Sequence, residues 1–416
     1  MASPGQWLLA GKIASLRAVD PQILEVRLTA PEPQFFHAMA MPFLFIVPRE
    51  CVEHYGADFA WHPVGTGPFR LKSHSPKHFE WERNPLYREV TSEGEKLPFL
   101  DEIIDDVIEE DQTVWLAFLN GEHDVLGRVS PERVASGEVQ GLEGKGLHFL
   151  RESAADFTYF AFNMDDPVVG GYSPSAKNLR KALSLAFEAA PVIDKFYAGM
   201  AKPAQFLVPP GFAEYDPTYK NPWGVYNLAK AREYLAKAGY PRADGLPELV
   251  LDAPSDTNSR LHAEYFARCM ERIGIRVRMN LSSWPDMLAR VRRRQGQIYA
   301  VSWLYDYPDV ESGLAILVAA NASPGPNKSN YKSAQWDRLY EQVRNMQRGP
   351  KRTALVKQMR SVFEEDVPWI FGVHRTETRL LHPWVKNYKI HLFDFGIEKY
   401  IRMGPHGTHS EHTTGD

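Results

Sequence analysis

Carboxylates set among aromatic rings are the most chemically suggestive feature of the sequence. The segment Val301-Ser-Trp-Leu-Tyr-Asp-Tyr-Pro-Asp309 puts Asp306 and Asp309 beside Trp303, Tyr305, Tyr307 and Pro308. It matches no catalytic motif, and the structural reading of Asp306 is a capping acid ahead of Tyr307-Pro308. An enzyme would need a nucleophile beside a base. There is no Gly-x-Ser-x-Gly, no His-Glu-x-x-His, and no Ser-x-x-Lys with the companions that give it meaning. The acid pairs Asp165-Asp166 and Glu364-Glu365 fall at a turn and a helix end, where solvated carboxylates are expected rather than an acid/base pair. Cys51 and Cys269 lie far apart and form neither a CxxC nor a Cys/His ligand spacing, which excludes a disulfide framework and leaves a single bridge without support. His406, His409 and His412 are evenly spaced, but in a polar tail with no packed scaffold to fix their geometry. No metal, no cofactor and no enzymatic activity are therefore expected.

The chain has 416 residues, 44% hydrophobic and 24% charged, enough for two or more cores and too balanced for disorder. Its formal net charge of -4 argues against a nucleic-acid partner. The one local basic run, Arg290 with Arg292, Arg293 and Arg294, reads as the solvated end of a helix. No apolar stretch reaches the length of a membrane span. Residues 1–12 show no basic segment ahead of their short apolar run and do not read as a signal peptide; an exported parent would carry its signal upstream of Met1.

Periodicity then supplies the elements that must position any site. Ile23 to Thr29 alternates like a half-buried strand, and a short apolar helix or strand follows near Phe43 to Val47. The turn Gly65-Thr-Gly-Pro68 leads into strands at Phe69 to Lys72 and His78 to Arg83. Its two glycines lack the following helix that a phosphate loop requires. Asp111 to Asn120 reads as a helix with Trp115, Leu116 and Phe118 inward, and Phe157 to Asn163 as a strand. Leu179 to Phe187 predicts a helix capped by Asn178, and Tyr226 to Tyr240 one ended by Gly239. From Leu249 strands alternate with helices: Leu249 to Asp252, Ser259 to Ile273, Arg276 to Leu281, Trp284 to Arg294, and Ile298 to Trp303. This alternation predicts an α/β lobe. Helices at Ser333 to Met346 and Pro350 to Asp366 follow, then strand-like Trp369 to Val373 and Tyr388 to Phe395.

In this order and at these separations, the residues resemble the bacterial extracellular solute-binding proteins of family 5, the periplasmic peptide receptors of ABC importers. The likeness rests on Gly65-Thr-Gly-Pro-Phe69, Phe162-Asn163, Leu179 to Ala186, Pro209-Pro-Gly211, Tyr226-Asn-Leu-Ala229, Ala238-Gly-Tyr240, Trp303 with Asp306, Asn330-Tyr331-Lys-Ser333 and Pro368. It runs from about Ile23 to Arg402. Members usually carry well over a hundred further residues before a segment like Ile13 to Pro48, so the chain looks like one lacking its N-terminal part.

The resemblance implies a bilobal periplasmic-binding-protein type II-like α/β architecture, two mixed-sheet lobes joined by a two-strand hinge. Lobe I would comprise 1–162 and 375–403, lobe II 163–374, and 404–416 a polar tail. The crossings would lie near Phe162-Asn163 and Val373-His374. A peptide-like solute would bind between the lobes and pass unaltered to an ABC permease, from a monomer in the periplasm or at the cell surface. Ser302, Trp303, Leu304 and Tyr305 would offer a strand edge, Asp306 would take the ligand's ammonium, and Trp284 would form pocket wall. Trp284 also has a structural reading, a core residue at a helix start. Where dipeptide binders place an arginine for the ligand carboxylate, this chain has Ala253, and Arg260 is the nearby substitute. A nickel chelate, a sugar or an opine are alternative solutes, and a transcriptional sensor whose DNA-binding part lies upstream is an alternative role.

Overall fold

The computed structural model describes residues 15–108, 110–393 and 396–405 and separates into two compact units. The first takes its described residues from Met1–Pro31, Ala38–Glu152 and Thr378–Asp416, the second from Glu32–His37 and Ser153–Glu377. The three histidines of the tail and residues 1–12 lie outside the described residues.

In the first unit, Phe69–Ser75, His78–Arg83 and Glu102–Asp106 form a three-stranded antiparallel sheet. The helix Asp111–Leu119 buries Trp115 and Phe118, whereas Leu116 is 48% exposed. At 100° per residue, Leu116 cannot share the face of both neighbours, so the expected inward triplet is a pair. Ile23–Val26 pairs with Leu16–Asp20 as a short exposed hairpin rather than a half-buried strand reaching Thr29. Pro42–Leu44 is a single 3-10 turn. Leu381, Trp384, Val385 and Ile401 form a buried cluster, with Leu100, Val125, Leu150 and Tyr388 packed against it.

The second unit holds the α/β alternation. Its elements in chain order are β1 (Asp156–Phe162), α1 (Pro174–Ala186), α2 (Ala190–Tyr197), β2 (Ala201–Pro203), α3 (Leu228–Lys237), β3 (Leu249–Pro254) and α4 (Thr257–Glu271). There follow β4 (Val277–Ser282), α5 (Trp284–Arg292), β5 (Ile298–Leu304), α6 (Val310–Ala315), α7 (Ala334–Arg344), α8 (Pro350–Asp366) and β6 (Trp369–Phe371). The sheet order is β4-β3-β5-β1-β6. β3 is parallel to β4 and β5, the register a helical crossover imposes, while β1 runs antiparallel to β5 and β6. Because β1 is covered on both faces, its aromatic run is nearly all buried, and each fully buried phenylalanine contributes about 1.5–3 kcal/mol.

Local signals moved some boundaries. α1 begins at Pro174, because Ser173 accepts a hydrogen bond from the Ala176 amide and Pro174 fits the first helical position; Asn178, the expected cap, lies inside the helix. Asn227 caps α3, and Gly239 follows it at φ +93°, a conformation that favours glycine. A nine-residue strand, Val373–Leu381, was not expected, and no strand covers Tyr388 to Phe393 among the described residues. The sequence expectation put the chain's crossings at Phe162-Asn163 and Val373-His374. The division instead falls at Glu152/Ser153 and Glu377/Thr378, since β1 is hydrogen-bonded on both sides within the second unit's sheet. The segment Glu32–His37 also belongs to that unit.

Candidate functional site

The strand proposed as a ligand edge, β5, is paired unevenly. Its contact with β1 runs its whole length, from Ile298 opposite Phe162 to Leu304 opposite Asp156. Its contact with β3 stops after Leu251 opposite Ile298 and Asp252 opposite Tyr299. From Ala300 to Leu304 the β3-facing edge therefore has no strand partner among the described residues. An open edge of this kind can receive an extended backbone. Ser302 and Trp303 are half-buried there, Leu304 is 59% exposed, and the indole Nε1 of Trp303 is buried without a hydrogen-bond partner among the described residues.

The two acids that follow have opposite environments. Asp309 is buried and caps α6, accepting from the Glu311 amide at 2.9 Å. Its carboxylate also receives both terminal nitrogens of buried Arg352, and Arg348 at 3.4 Å. Burial alone would raise its pKa, but the Arg352 hydrogen bond and charge hold it below the usual carboxylate value. Arg352 is shared with Glu214 at 2.9 Å. Asp306 is exposed, and no cation or hydrogen-bond donor meets it among the described residues. Neighbouring protein still removes part of its hydration, and that desolvation raises its carboxyl above the usual value. The capping role weighed for Asp306 belongs to Asp309.

Tyr305 immediately precedes Asp306 and points inward. Its phenol donates to the Leu207 carbonyl at 2.9 Å, and its ring packs against Phe212 at 4.6 Å between centroids. A Cβ on Gly313 would lie 1.9 Å from the Tyr305 hydroxyl oxygen, so that glycine makes room for the phenol. The side chain offers nothing to a ligand; its burial fixes the backbone from which Asp306 projects.

Trp284 opens α5, directly after β4, with Ser283 as cap accepting from the Asp286 amide. Its ring is 44% exposed and is not a core residue. The ammonium of Lys328 lies over it, 5.4 Å from the ring centroid. Lys328 did not enter the sequence reading; it stands two residues before the Asn330-Tyr331 pair, with no spacing signal of its own. Ala253 is wholly buried in β3, and Arg260 is exposed on α4 with no side-chain partner among the described residues.

The remaining charged motifs serve the fold. Arg290 pairs with buried Asp252 at 2.9 Å and Arg294 with Asp165 at 3.0 Å, so only part of the basic run is free in solvent. Asp166 accepts from the amides of Val168 and Val169, Glu364 from the Tyr219 phenol, and Glu365 from Lys177. Cys51 and Cys269 are free thiols. A cleft elsewhere on this unit, lined among others by Lys202, Tyr215, Tyr219 and Arg360, holds none of the candidate residues. Its arginine is committed to Asp216 and to the Tyr219 ring. No helix is long and apolar enough to cross a membrane, and no cluster of three metal-ligating side chains occurs among the described residues.

The sequence profile of the bacterial extracellular solute-binding proteins, family 5 middle, matches residues 1–325. Glutathione-binding protein GsiB of Salmonella choleraesuis is 25% identical over 373 residues, covering 86% of this chain and 68% of its own length. Di/tripeptide-binding protein 1 of Pseudomonas aeruginosa is 24% identical over 403 residues, 94% of this chain and 71% of its own. Among solved structures, the ABC transporter-associated periplasmic binding protein DppA from Helicobacter pylori, in complex with the peptide STSA, superposes with a TM-score of 0.79. It is 22% identical and matches 94% of this chain and 74% of that one. This likeness carries the fold, and the expected bilobal, periplasmic-binding-protein type II-like class stands.

Proposed function

Because the chain belongs to the bacterial extracellular solute-binding proteins of family 5, we propose that it receives a peptide-like solute and hands it unaltered to an ABC permease. The observation that carries the peptide reading is Asp306, an unpaired carboxylate at the end of a strand edge left open from Ala300 to Leu304. An extended peptide satisfies that edge with its own backbone, which makes binding tolerant of side-chain identity. Its α-ammonium meets Asp306, fixing the direction of the ligand. Trp303 offers its free indole N–H, and Ser302 and Leu304 supply main-chain groups. Tyr305 holds the turn from beneath. Asp309 is excluded from the ammonium role, since Arg352 already neutralises it. The names of the glutathione- and di/tripeptide-binding relatives support the same class of solute.

Calorimetry with trialanine tests the assignment. Asp306→Asn keeps the shape and removes the charge, and should weaken binding by about 1.5–3 kcal/mol, the worth of a charge-assisted hydrogen bond. Unchanged affinity would remove Asp306 from the site. Trialanine recovered from the complex should be intact by mass spectrometry; fragments that track the purified protein would favour a hydrolase. We place the protein in the periplasm or at the cell surface, acting as a monomer, and a dimer in sedimentation velocity would overturn the latter.

A further inference from the structure

We propose that Lys328, held over the face of Trp284, seats the negative group of the bound solute, so that the preferred ligands are zwitterionic, peptide-like molecules with a free carboxylate. This rests on the peptide reading of the Asp306 site and adds the second charge that the ligand must carry.

The first support is the lysine's isolation. Many cations of the second unit pair with acids: Arg352 with Asp309 and Glu214, Arg375 with Asp156, Lys177 with Asp366, and the exposed Arg294 and Lys332 with Asp165; buried Arg180 donates to carbonyls instead, and Lys181 lies over the Trp223 ring. Lys328 is half-buried and has no carboxylate partner among the described residues; its ammonium lies over the Trp284 ring at 5.4 Å. Burial pushes its ammonium below the ordinary lysine value, with no neighbouring charge acting in opposition. Such a group costs stability unless a negative charge reaches it.

The second support is where the pair sits. Trp284 is the first residue of α5, immediately beyond the carboxyl end of β4, a strand parallel to β3 and β5. Ligands of open α/β sheets gather outside the carboxyl ends of the parallel strands. The ring face keeps the ammonium in place and water off one side of it, and an anion would approach from the other. Asp286 in the same first turn makes no ion pair with Lys328; its carboxylate accepts from Ser283 Oγ at 2.6 Å. The position where dipeptide binders place their arginine is Ala253, buried in β3, and Arg260 is exposed on α4.

The experiment compares trialanine with trialanine amide on the full chain by calorimetry, for wild type, Lys328→Met, Lys328→Arg and Asp306→Asn. Wild type should prefer the acid by about ten-fold or more, the worth of a charge-assisted contact. Lys328→Met should erase the preference by weakening the acid alone, and Lys328→Arg should restore part of it. The melting temperature of Lys328→Met should be no lower than wild type, since an unpaired buried charge is removed. Asp306→Asn should weaken both ligands and leave the preference. If Lys328→Met keeps the preference, or wild type has none, the Lys328 assignment is overturned while the Asp306 site survives. If Lys328→Met weakens both ligands and melts lower, the lysine is structural and the assignment is again overturned. If wild type binds neither peptide, the peptide reading fails and the Lys328 proposal with it.

Discussion

Asp306 and Asp309 show what one residue's surroundings decide. Both were visible in the sequence as acids among aromatics, but their spacing could not tell which would be neutralised. That depended on Arg352, which stands more than forty positions later and reaches Asp309 through the packing of α8. Desolvation without a partner makes Asp306 take up a proton at higher pH than the 3.8 of an ordinary aspartate. Only the charged form attracts an ammonium. Trialanine affinity should therefore be constant well above the raised pKa and fall as pH drops through it, at a higher pH than an unperturbed aspartate would allow. Stability of the free protein should move the other way: the native state binds the proton more readily than the unfolded chain, so Asp306 weighs against folding at neutral pH and that penalty fades as pH falls through the raised pKa. Asp306→Asn should flatten both dependences, measured by calorimetry and by urea unfolding across the same pH series. An affinity profile identical to wild type would show that another group titrates.

At the scale of elements, the alternation from Leu249 to Trp303 was legible in the change of period, although the caps Asp256 and Ser283 were not picked out and the first helix begins at Thr257 rather than Ser259. Val373–Leu381 was not legible. Its centre, Arg375-Thr-Glu-Thr-Arg379, carries polar side chains on both faces, and its buried His374 and Thr378 look like surface residues until packing covers them. The open edge of β5 was expected as a ligand edge, but how far β3 covers it is a matter of register, which periodicity does not fix. Two predictions belong here. Hydrogen exchange of the amides in Ala300–Leu304 should slow on adding trialanine if its backbone pairs with that edge; unaltered exchange at saturation would place the ligand elsewhere. Asp309→Ala should cost about 3–5 kcal/mol in urea unfolding, because it strands buried Arg352 and uncaps α6. A loss below about 1 kcal/mol would mean that Glu214 alone compensates the arginine.

The whole molecule was legible as an α/β chain large enough for two cores, and the family resemblance supplied the bilobal class; where the units divide was not readable. A strand such as β1 looks the same in sequence whichever sheet claims it, and only its pairing with β5 and β6 assigns it to the second unit. Each unit has packing of its own: a small cluster around Trp384 and Ile401 in the first, and the five-stranded sheet with its aromatic layer in the second. Two separately packed units are expected to melt in more than one step. Scanning calorimetry should therefore give a van't Hoff enthalpy smaller than the calorimetric one, the mark of more than a single transition. The proposed ligand contacts, Asp306, the β5 edge and Lys328 over Trp284, all come from the second unit. Trialanine at about one hundred times its Kd should stabilise that unit by about 2.7 kcal/mol, through binding the native state alone. The transition that moves should be the one followed by exchange of the β1 and β5 amides, and Asp306→Asn at the same trialanine concentration should reduce the shift. A ligand-dependent rise that leaves those amides unaffected would mean the solute is held by residues outside this sheet, and the assignment of the site to the second unit would fall.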